Sequence, residues 1–182
     1  MIGTPKGSNS PAQGNALGLR GPKTASPEGA EVAAVPQSLA RIVVHLIFST
    51  KNREPFIHRE VRGSLHAYLT GILQNVKCPS LQTGGTADHV HSLFSLARTS
   101  TVAEVVEAVK KSSSKWMKQQ GVENFSWQAG YGAFSVSESQ VRKVVAYISR
   151  QEEHHRRQTF QDEFRGFLLR HGVVHDERYV WE

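Results

Sequence analysis

The sequence predicts a single α+β domain with an antiparallel sheet and extra C-terminal helices. Strand-like and helix-like segments alternate in the order βαββαβ, a glycine pair joins the second and third strands as a hairpin, and further helical segments follow the last strand. This order is typical of the split βαβ, ferredoxin-like (RRM-like) arrangement, in which two helices cover one face of the sheet. The other face also needs a cover, which either the C-terminal helices or a second subunit can supply.

Residues 1–37 are predicted to form a disordered tail, and residues 38–182 the folded domain. Gly, Pro, Ser and Ala dominate the first segment, which contains no aromatic residue. Such a composition cannot bury enough apolar surface to offset the entropy that is lost on ordering. The rest of the chain is long enough for one core but not for two.

The first half of the domain supplies a strand, a helix and a hairpin. Residues 41–49, RIVVHLIFS, are rich in β-branched side chains and predict a mostly buried strand. Apolar residues recur at helical spacing over about 58–74 and predict an amphipathic helix. Strands over 80–84 and 89–96 follow, and the Gly84-Gly85 pair predicts the turn between them.

The second half supplies a long helix, the fourth strand and the C-terminal helices. A capping-box signature predicts the start of a helix over about 101–119. The stretch 125–134, FSWQAGYGAF, is aromatic and interrupted by glycines, which predicts a strand with a bend. A preceding serine can cap a helix over about 139–151, and a last short helix is predicted over 160–170.

The charge and the cysteine content narrow the function classes. The formal net charge of +6 at pH 7 and a pI near 9.7 favour a polyanionic partner, although an unrelated basic protein has the same balance. The single cysteine, Cys78, excludes an internal disulfide and a cysteine-based zinc cage. The longest apolar stretch, 42–48, is too short to span a bilayer, and the first 30 residues lack the apolar core of a signal peptide. We therefore expect a cytoplasmic protein without a membrane partner.

Two histidines on the predicted third strand are candidate metal ligands. In His89-Val90-His91 the imidazoles lie at i and i+2, so both point to the same face of the sheet. Two nitrogen donors on one face can hold a divalent metal ion. The same alternation also occurs by chance in strands that bind nothing, and Asp88 before the pair can either assist a metal or belong to the turn.

Tyr147 and Gln151 form a second candidate pair. They lie at i and i+4 on one flank of the predicted helix and can face one target together. In isolation, a tyrosine at the core boundary and a solvated glutamine at the helix end explain this pair better than a functional site does. A catalytic tyrosine needs a polarising cation, because the ordinary pKa of its hydroxyl is about 10 and attack on phosphorus at neutral pH requires help with the proton.

Six segments spread over the domain match one known family in order and spacing. They are STKNREPF at 49–56, ADHVHSLFSL at 87–96, KSSSKWM at 111–117, WQAGYGAFSVSESQV at 127–141, YISRQEEHH at 147–155 and DERYVWE at 176–182. Through these segments, residues 38–182 resemble the HUH single-tyrosine transposases of the insertion sequence 200/605 type, relatives of the REP-associated tyrosine transposases. The segment before Pro36 has no counterpart in that pattern, and we assign it no role.

The resemblance implies a role for each candidate residue. His89 and His91 match the two metal-binding histidines, and Gln151 matches the polar residue that completes the coordination of Mg²⁺ or Mn²⁺. Tyr147 matches the nucleophile. The implied enzyme cleaves single-stranded DNA at the ends of a mobile element, leaves a 5′-phosphotyrosine and a 3′ hydroxyl, and rejoins strands by the reverse reaction.

The resemblance also implies partners. The implied substrate is single-stranded DNA with subterminal hairpins, and the implied assembly is a homodimer in which the tyrosine helix of one subunit can act in the site of the other. Basic residues are candidates for contacts to the DNA backbone, although each also fits a solvated surface. They are Lys51, Arg53, Lys110, Lys111, Lys115, Arg142 and Lys143. Trp127 or Tyr131 can stack on a base, whereas Trp116 and Trp127 also fit the core.

Three further histidines are kept apart from the metal site. His154 and His155 lie beside Arg156 and Arg157, which indicates a basic segment that faces phosphate or solvent. His45 lies within the buried first strand and fits a core or site-lining imidazole.

Three alternative functions accompany this assignment. A non-catalytic nucleic-acid-binding module of the same fold needs neither the histidine pair nor the tyrosine. A domesticated relative that acts on hairpin repeats has the same chemistry. A metal-dependent hydrolase transfers the strand to water and leaves no DNA linked to the protein.

Overall fold

A computed structural model describes residues 39–178, 180 and 181. The predicted tail over residues 1–37 lies outside them. In the described part of the chain, four strands form one sheet with the order β2-β3-β1-β4, and all neighbouring strands are antiparallel. The strands are β1 (Val43–Ser49), β2 (Ser80–Gly85), β3 (His89–Ser95) and β4 (Gly132–Val136).

Five α-helices accompany the sheet within the described residues. They are α1 (Arg59–Asn75), α2 (Val102–Gln119), α3 (Val141–Ser149), α4 (Gln151–His154) and α5 (Phe160–Arg170), with short 3-10 helices at Lys51–Arg53 and Glu138–Gln140. The order β1-α1-β2-β3-α2-β4, followed by helices, confirms the predicted ferredoxin-like α+β fold. None of the helices in this part of the chain has the length and apolar character needed to cross a lipid bilayer.

One face of the sheet packs against α1 and α2. Val44, Leu46 and Phe48 of β1 share this face because side chains alternate along a strand. They belong to one buried cluster with Leu69 of α1 and Val109 of α2. Burying each such side chain stabilises the fold by roughly 1.5–3 kcal/mol.

Local sequence signals define the start of α2 and the hairpin. The backbone N–H of Glu104 donates to the Thr101 hydroxyl at 3.2 Å, and the backbone N–H of Thr101 donates to the Glu104 carboxylate at 2.8 Å, which confirms the capping box. Gly85 ends β2 with φ +152°, and a Cβ atom there would lie 2.2 Å from the carbonyl oxygen of His89. The turn between β2 and β3 therefore requires glycine at this position.

The opposite face is covered by the C-terminal helices of the same chain. Ile47 of β1 packs with Phe160, Phe164 and Phe167 of α5 in a second buried cluster. Helix α3 covers the neighbouring part of the sheet through Ile148. Of the two covers expected from the sequence, the C-terminal helices are the one observed.

The fourth strand is shorter than predicted and lies later in the chain. Phe125 and Trp127 belong to the α1/α2 core instead of β4, and their rings meet edge to face at 4.7 Å. The indole N–H of Trp127 donates to the buried hydroxyl of Ser113 at 2.9 Å, and its backbone forms only an isolated bridge with Thr50. Aromatic residues are typical of strands and of buried loops alike, so composition alone placed this strand too early.

The helix predicted over 139–151 is divided in the structure. Helix α3 ends before Arg150, whose φ of −111° and ψ of 23° lie outside the helical range, and α4 begins after it. The predicted cap by Ser137 or Ser139 is also wrong, because Ser137 makes no side-chain capping hydrogen bond and Gln140 is the residue at the N-cap of α3. Tyr147 and Gln151 consequently belong to two helical segments rather than to one flank of a continuous helix.

Candidate metal and tyrosine site

Strand β3 brings His89 and His91 to the sheet face that the C-terminal helices cover. Their side chains are 1% and 0% exposed, and their ring centroids lie 5.2 Å apart. The strand register pairs His89 with Ser49 and His91 with Ile47 of β1. The placement on one face, predicted from the i, i+2 spacing, is confirmed.

Asp88 fixes the orientation of the His89 ring. Its Oδ1 atom lies 2.7 Å from Nδ1 of His89, and since a carboxylate only accepts, Nδ1 carries the hydrogen. Its Oδ2 atom accepts from Nη2 of Arg53 at 2.6 Å and from Nε at 3.1 Å. Burial alone would raise the pKa of Asp88, but the hydrogen bonds from His89 and Arg53 hold this pKa well below its usual range. When His89 carries a single ring hydrogen, its Nε2 atom is therefore the one with the free lone pair.

Two polar groups approach His89 from α4 and the residue after it. Oε1 of Gln151 lies 3.2 Å from Nε2 of His89 and 2.9 Å from Nε2 of His155. Nδ1 of His155 lies 3.0 Å from the backbone carbonyl of Gln158 and donates to it. In neutral His155, Nε2 therefore also carries a free lone pair, and this atom faces Oε1 of Gln151.

Helix α5 contributes a buried carboxylate, Glu163, whose side chain is 3% exposed. Its Oε1 atom accepts from Nε2 of Gln151 at 3.2 Å. Its Oε2 atom lies 3.5 Å from Nε2 of His91 and 3.3 Å from Nε2 of His155. Burial raises the pKa of Glu163 to about 8.

These side chains form a group that can hold a metal ion. His89, His91, His155 and Glu163 each offer one ligand atom, and the four atoms lie within 4.8 Å of one another. Nε2 of His91 and Oε2 of Glu163 are buried without a hydrogen-bond partner in the described part of the chain. Burial lowers the pKa of His91 well below its ordinary value and that of His155 to about 4, so both rings are neutral near pH 7. Neutral imidazoles and a carboxyl group that loses its proton when an ion binds are donors that divalent metal ions use, and the residues fit such an ion.

His45 lies behind His91. The two rings stack with centroids 5.2 Å apart, and Nε2 of His45 is 3.0 Å from Nδ1 of His91. Burial lowers the pKa of His45 to about 3, so one neutral pair shares one hydrogen between the facing nitrogens. When Nδ1 of His91 carries it, Nε2 of His91 is free to bind. The expectation that His45 lines the core or the site is confirmed.

Helix α3 brings Tyr147 to the same place within one chain. The tyrosine ring lies 5.7 Å from that of His91, and its hydroxyl is buried with no hydrogen-bond partner among the described residues. Helix α3 approaches the sheet closely because Gly84 of β2 has no side chain. A Cβ atom there would lie 2.7 Å from the carbonyl oxygen of Ile148.

An open cleft of about 420 Å³ adjoins Tyr147. It is lined by Lys143, Ala146, Tyr147, Arg150, Glu153, His154 and Arg157. Three cationic side chains face one carboxylate in this cleft, which favours an anionic occupant such as a phosphate. At its inner end, Nε2 of His154 lies 3.2 Å from Oε1 of Glu163.

The basic candidates fall into two groups. Those with exposed side chains are Lys51, Lys111, Lys115, Arg142 and Lys143. Arg53 is bound to Asp88. Nζ of Lys110 donates to the carbonyls of residues 128, 129 and 130 at 2.8, 3.0 and 2.7 Å, and burial lowers its pKa to about 8. All three donors of Lys110 are used inside the protein, so a structural role fits it better than a contact to DNA.

The aromatic candidates for base stacking also differ in exposure. Trp127 is 8% exposed and lies in the core, and Trp116 is partly buried and stacks on Tyr68. Tyr131 is 43% exposed, which leaves its ring accessible to a base.

His155 and Glu163 were not among the metal-site residues predicted from the sequence. His155 was assigned to a segment that faces phosphate or solvent, but its side chain is only 14% exposed and faces Gln151 and Glu163. The signal for His155 was its spacing of four residues from Gln151. Glu163 was recognisable as a carboxylate among Phe160, Phe164 and Phe167, on the stripe of α5 that is otherwise apolar.

Comparisons with known proteins give a family and a shared fold. A family described as transposase IS200 like matches residues 38–151. The crystal structure of a candidate transposase from Deinococcus radiodurans R1 is 24% identical, covers 64% of this chain and 95% of its own, and has a TM-score of 0.51, which shows a shared fold. A REP-associated tyrosine transposase bound to a REP hairpin is 13% identical, covers 77% of this chain and 74% of its own, and has a TM-score of 0.48. None of the curated proteins matches the sequence significantly.

The family match over residues 38–151 agrees with the antiparallel fold and with the segments that carry the resemblance. This chain therefore belongs to the IS200-like transposase family.

Proposed function

We propose that this chain is a DNA transposase that cleaves and rejoins single-stranded DNA at element ends through a covalent bond to Tyr147. The observation that carries the proposal is the position of the tyrosine hydroxyl. It is buried without a hydrogen-bond partner among the described residues, on a ring that lies 5.7 Å from the ring of His91. Retaining an unpaired buried hydroxyl costs stability, which favours a chemical role for it.

The proposed step is a transfer of the phosphoryl linkage. The Tyr147 oxygen attacks the scissile phosphorus, the bond from phosphorus to the 3′ oxygen breaks, and the phenolic proton is released while the departing oxygen takes up a proton as a 3′ hydroxyl. A 5′-phosphotyrosine remains. A second 3′ hydroxyl can attack that ester, restore the phosphodiester and free the tyrosine, so the strand is rejoined without an external energy source.

The surrounding residues have separable roles in this proposal. His89, His91 and Gln151 hold a divalent ion, Mg²⁺ or Mn²⁺, which when bound supplies Lewis-acid neutralisation of phosphate charge. Asp88 orients His89 through the hydrogen bond to Nδ1.

Basic side chains bind the DNA backbone in this proposal. Lys143, Arg150 and Arg157 line the cleft beside Tyr147 and hold phosphates there. The other exposed candidates extend the contact surface; they are Lys51, Lys111, Lys115 and Arg142.

The decisive experiment tests for a covalent adduct. The purified protein is incubated with single-stranded oligonucleotides from the flanks of its own gene that contain subterminal hairpins, with Mg²⁺ or Mn²⁺, and analysed under denaturing conditions. We expect an adduct for the parent and for Tyr131→Phe, a matched control at an exposed tyrosine, and none for Tyr147→Phe. An adduct that survives Tyr147→Phe refutes the assignment of the nucleophile. Binding of the hairpin without any adduct favours a non-catalytic module.

We also propose that the enzyme acts in the cytoplasm as a homodimer on hairpin-bearing DNA. Tyr147 lies beside His91 of its own chain, which supports cleavage in cis. A mixture of Tyr147→Phe and His89→Ala chains separates the two arrangements. We expect no adduct from the mixture, whereas recovered activity demonstrates that one subunit supplies the tyrosine to the site of the other.

A further inference from the structure

We propose that the C-terminal part of this chain adds His155 and Glu163 to the metal site, which makes a centre of three histidines and one carboxylate that prefers first-row transition-metal ions to Mg²⁺. Both residues lie beyond the family match, which ends at residue 151. The inference rests on the metal site of the proposed function, in which Gln151 is also a ligand, and identifies two further ligands and the class of ion that the site selects.

The three histidines are each oriented by a partner on the other ring nitrogen. Nδ1 of His89 is 2.7 Å from the Asp88 carboxylate, and Nδ1 of His155 is 3.0 Å from the carbonyl of Gln158. Nδ1 of His91 is 3.0 Å from His45. Metal-binding histidines in proteins usually have such a partner, which fixes the ring and leaves the opposite nitrogen for the ion. His155 shares this property with the two histidines of β3.

One oxygen of the Glu163 carboxylate accepts a hydrogen bond from the protein, and the other accepts none in the described residues. Oε1 accepts from Gln151, whereas Oε2 is buried without a donor in the described residues and lies 3.3 Å from Nε2 of His155. An ionised carboxylate in such a place is costly unless a cation compensates it. The Nε2 atoms of His91 and His155 lie 3.5 and 3.3 Å from Oε2, so a metal ion shared by these three atoms is the compensation that the donor set fits best.

Helix α5 holds Glu163 rigidly in this position. Phe160 stacks on His89 with ring centroids 4.4 Å apart, and the guanidinium carbon of Arg53 lies over the Phe160 ring, 5.3 Å from its centroid. The Thr159 hydroxyl caps the helix by accepting from the backbone N–H of Asp162. The carboxylate is thus presented by a packed helix rather than by a loop.

The ligand set determines which ion is preferred. Mg²⁺ favours oxygen ligands in octahedral geometry and retains several waters. Imidazole nitrogen suits Zn²⁺, Co²⁺ and related ions, and affinity at such sites increases from Mn²⁺ towards Cu²⁺. Adding a third imidazole to a pair of histidines therefore shifts the preference away from Mg²⁺, and the carboxylate adds charge attraction for any divalent ion.

The test measures binding of Mn²⁺ and Co²⁺ to the full chain without DNA. Mn²⁺ affinity is followed by electron paramagnetic resonance with Mg²⁺ as competitor, and Co²⁺ coordination by visible absorption. We expect Glu163→Gln and His155→Gln to weaken Mn²⁺ binding about 10-fold or more. We expect Glu123→Gln and His175→Gln, at an exposed and a partly exposed position outside the group, to leave Mn²⁺ affinity unchanged. We also expect a 100-fold excess of Mg²⁺ to leave most Mn²⁺ bound to the parent.

Unchanged Mn²⁺ affinity in both variants, or displacement by an equal concentration of Mg²⁺, overturns the inference. Circular dichroism checks that each variant is folded. If either variant unfolds, the Co²⁺ spectrum of the parent decides, because an octahedral, oxygen-rich spectrum is incompatible with three imidazoles. Loss of the DNA adduct with selective Mn²⁺ binding intact refutes only the proposed function. If an adduct forms but both substitutions leave Mn²⁺ affinity unchanged, only this inference is refuted.

Discussion

The rings of Tyr147 and His91 meet edge to face, with centroids 5.7 Å apart and planes at 86°. The histidine belongs to the sheet and the tyrosine to a helix near the end of the domain, so the fold itself brings them together. The tyrosine hydroxyl has no hydrogen-bond partner among the described residues, although it is buried.

Removing this hydroxyl is expected to stabilise the protein while it removes activity. A buried polar group without a partner costs about 1–3 kcal/mol, so Tyr147→Phe should raise the free energy of unfolding by about 1 kcal/mol. Urea denaturation without added metal measures the change, and Tyr131→Phe at an exposed position should be within about 0.5 kcal/mol of the parent. A marked loss of stability in Tyr147→Phe would show that the hydroxyl is hydrogen-bonded in solution.

A methyl group at Gly84 is expected to displace the helix that carries Tyr147. The Cβ atom would lie 2.7 Å from the carbonyl oxygen of Ile148, a backbone atom that cannot yield without moving α3. Overpacking of this kind destabilises by about 1–3 kcal/mol, and Gly84→Ala should also reduce adduct formation. Gly71→Ala is the matched control, since Gly71 lies in α1 with open space around it and the substitution should stabilise by about 0.4–1 kcal/mol. Equal adduct yields from both variants would contradict the role of this contact.

Asp88→Asn is expected to weaken metal binding without unfolding the protein. The carboxylate orients His89, and loss of such a partner typically reduces metal affinity about 10–100-fold. Arg53→Met removes the cationic partner of Asp88 but keeps the contact to His89, so its effect should be smaller. Calorimetric titration with Mn²⁺ compares the two variants. If Arg53→Met loses as much affinity as Asp88→Asn, the guanidinium rather than the carboxylate orients the ring.

Lys143 and Lys110 are expected to respond differently to removal of their charge. Lys143 lines the cleft beside Tyr147. In Lys143→Met, the slope of log affinity for single-stranded DNA against log salt concentration should therefore decrease by about one phosphate contact. Lys110 binds three carbonyls, so Lys110→Met should leave that slope unchanged and lower the free energy of unfolding by roughly 1–3 kcal/mol.

Oligonucleotide binding at several salt concentrations, together with denaturation, separates these effects. Lys118→Met is the control, because Lys118 is an exposed lysine of α2 outside the candidate set. A lower slope with unchanged stability in Lys110→Met would restore this residue to the DNA surface.

Periodicity predicted most of the fold because most elements have one buried face. The first strand, the hairpin, α1, α2 and α5 were predicted within about two residues of their observed ends. The fourth strand was misplaced because Phe125 and Trp127 fill the core from a loop, and the sequence cannot separate that use of aromatic residues from a strand. Neither glycine nor proline marks the break at Arg150, so the sequence did not predict it.

The site was only partly accessible from the sequence. The alternation in His89-Val90-His91 dictated a shared face, which the structure confirms. The local pattern did not connect Glu163 to the group, because α5 returns to the sheet through packing between residues that are far apart in the chain. Lys110 looked like a surface cation because its three carbonyl acceptors lie in a loop near residue 129, more than fifteen positions away.

Helix α5 serves two purposes, since Phe164 and Phe167 cover the sheet while Glu163 reaches the histidines. A premature stop codon before Thr159 would remove the α5 side chains that cover Ile47 and delete the carboxylate in the same event. Truncated copies of this gene should therefore yield aggregation-prone polypeptides instead of well-folded decoys that compete with the intact enzyme for DNA.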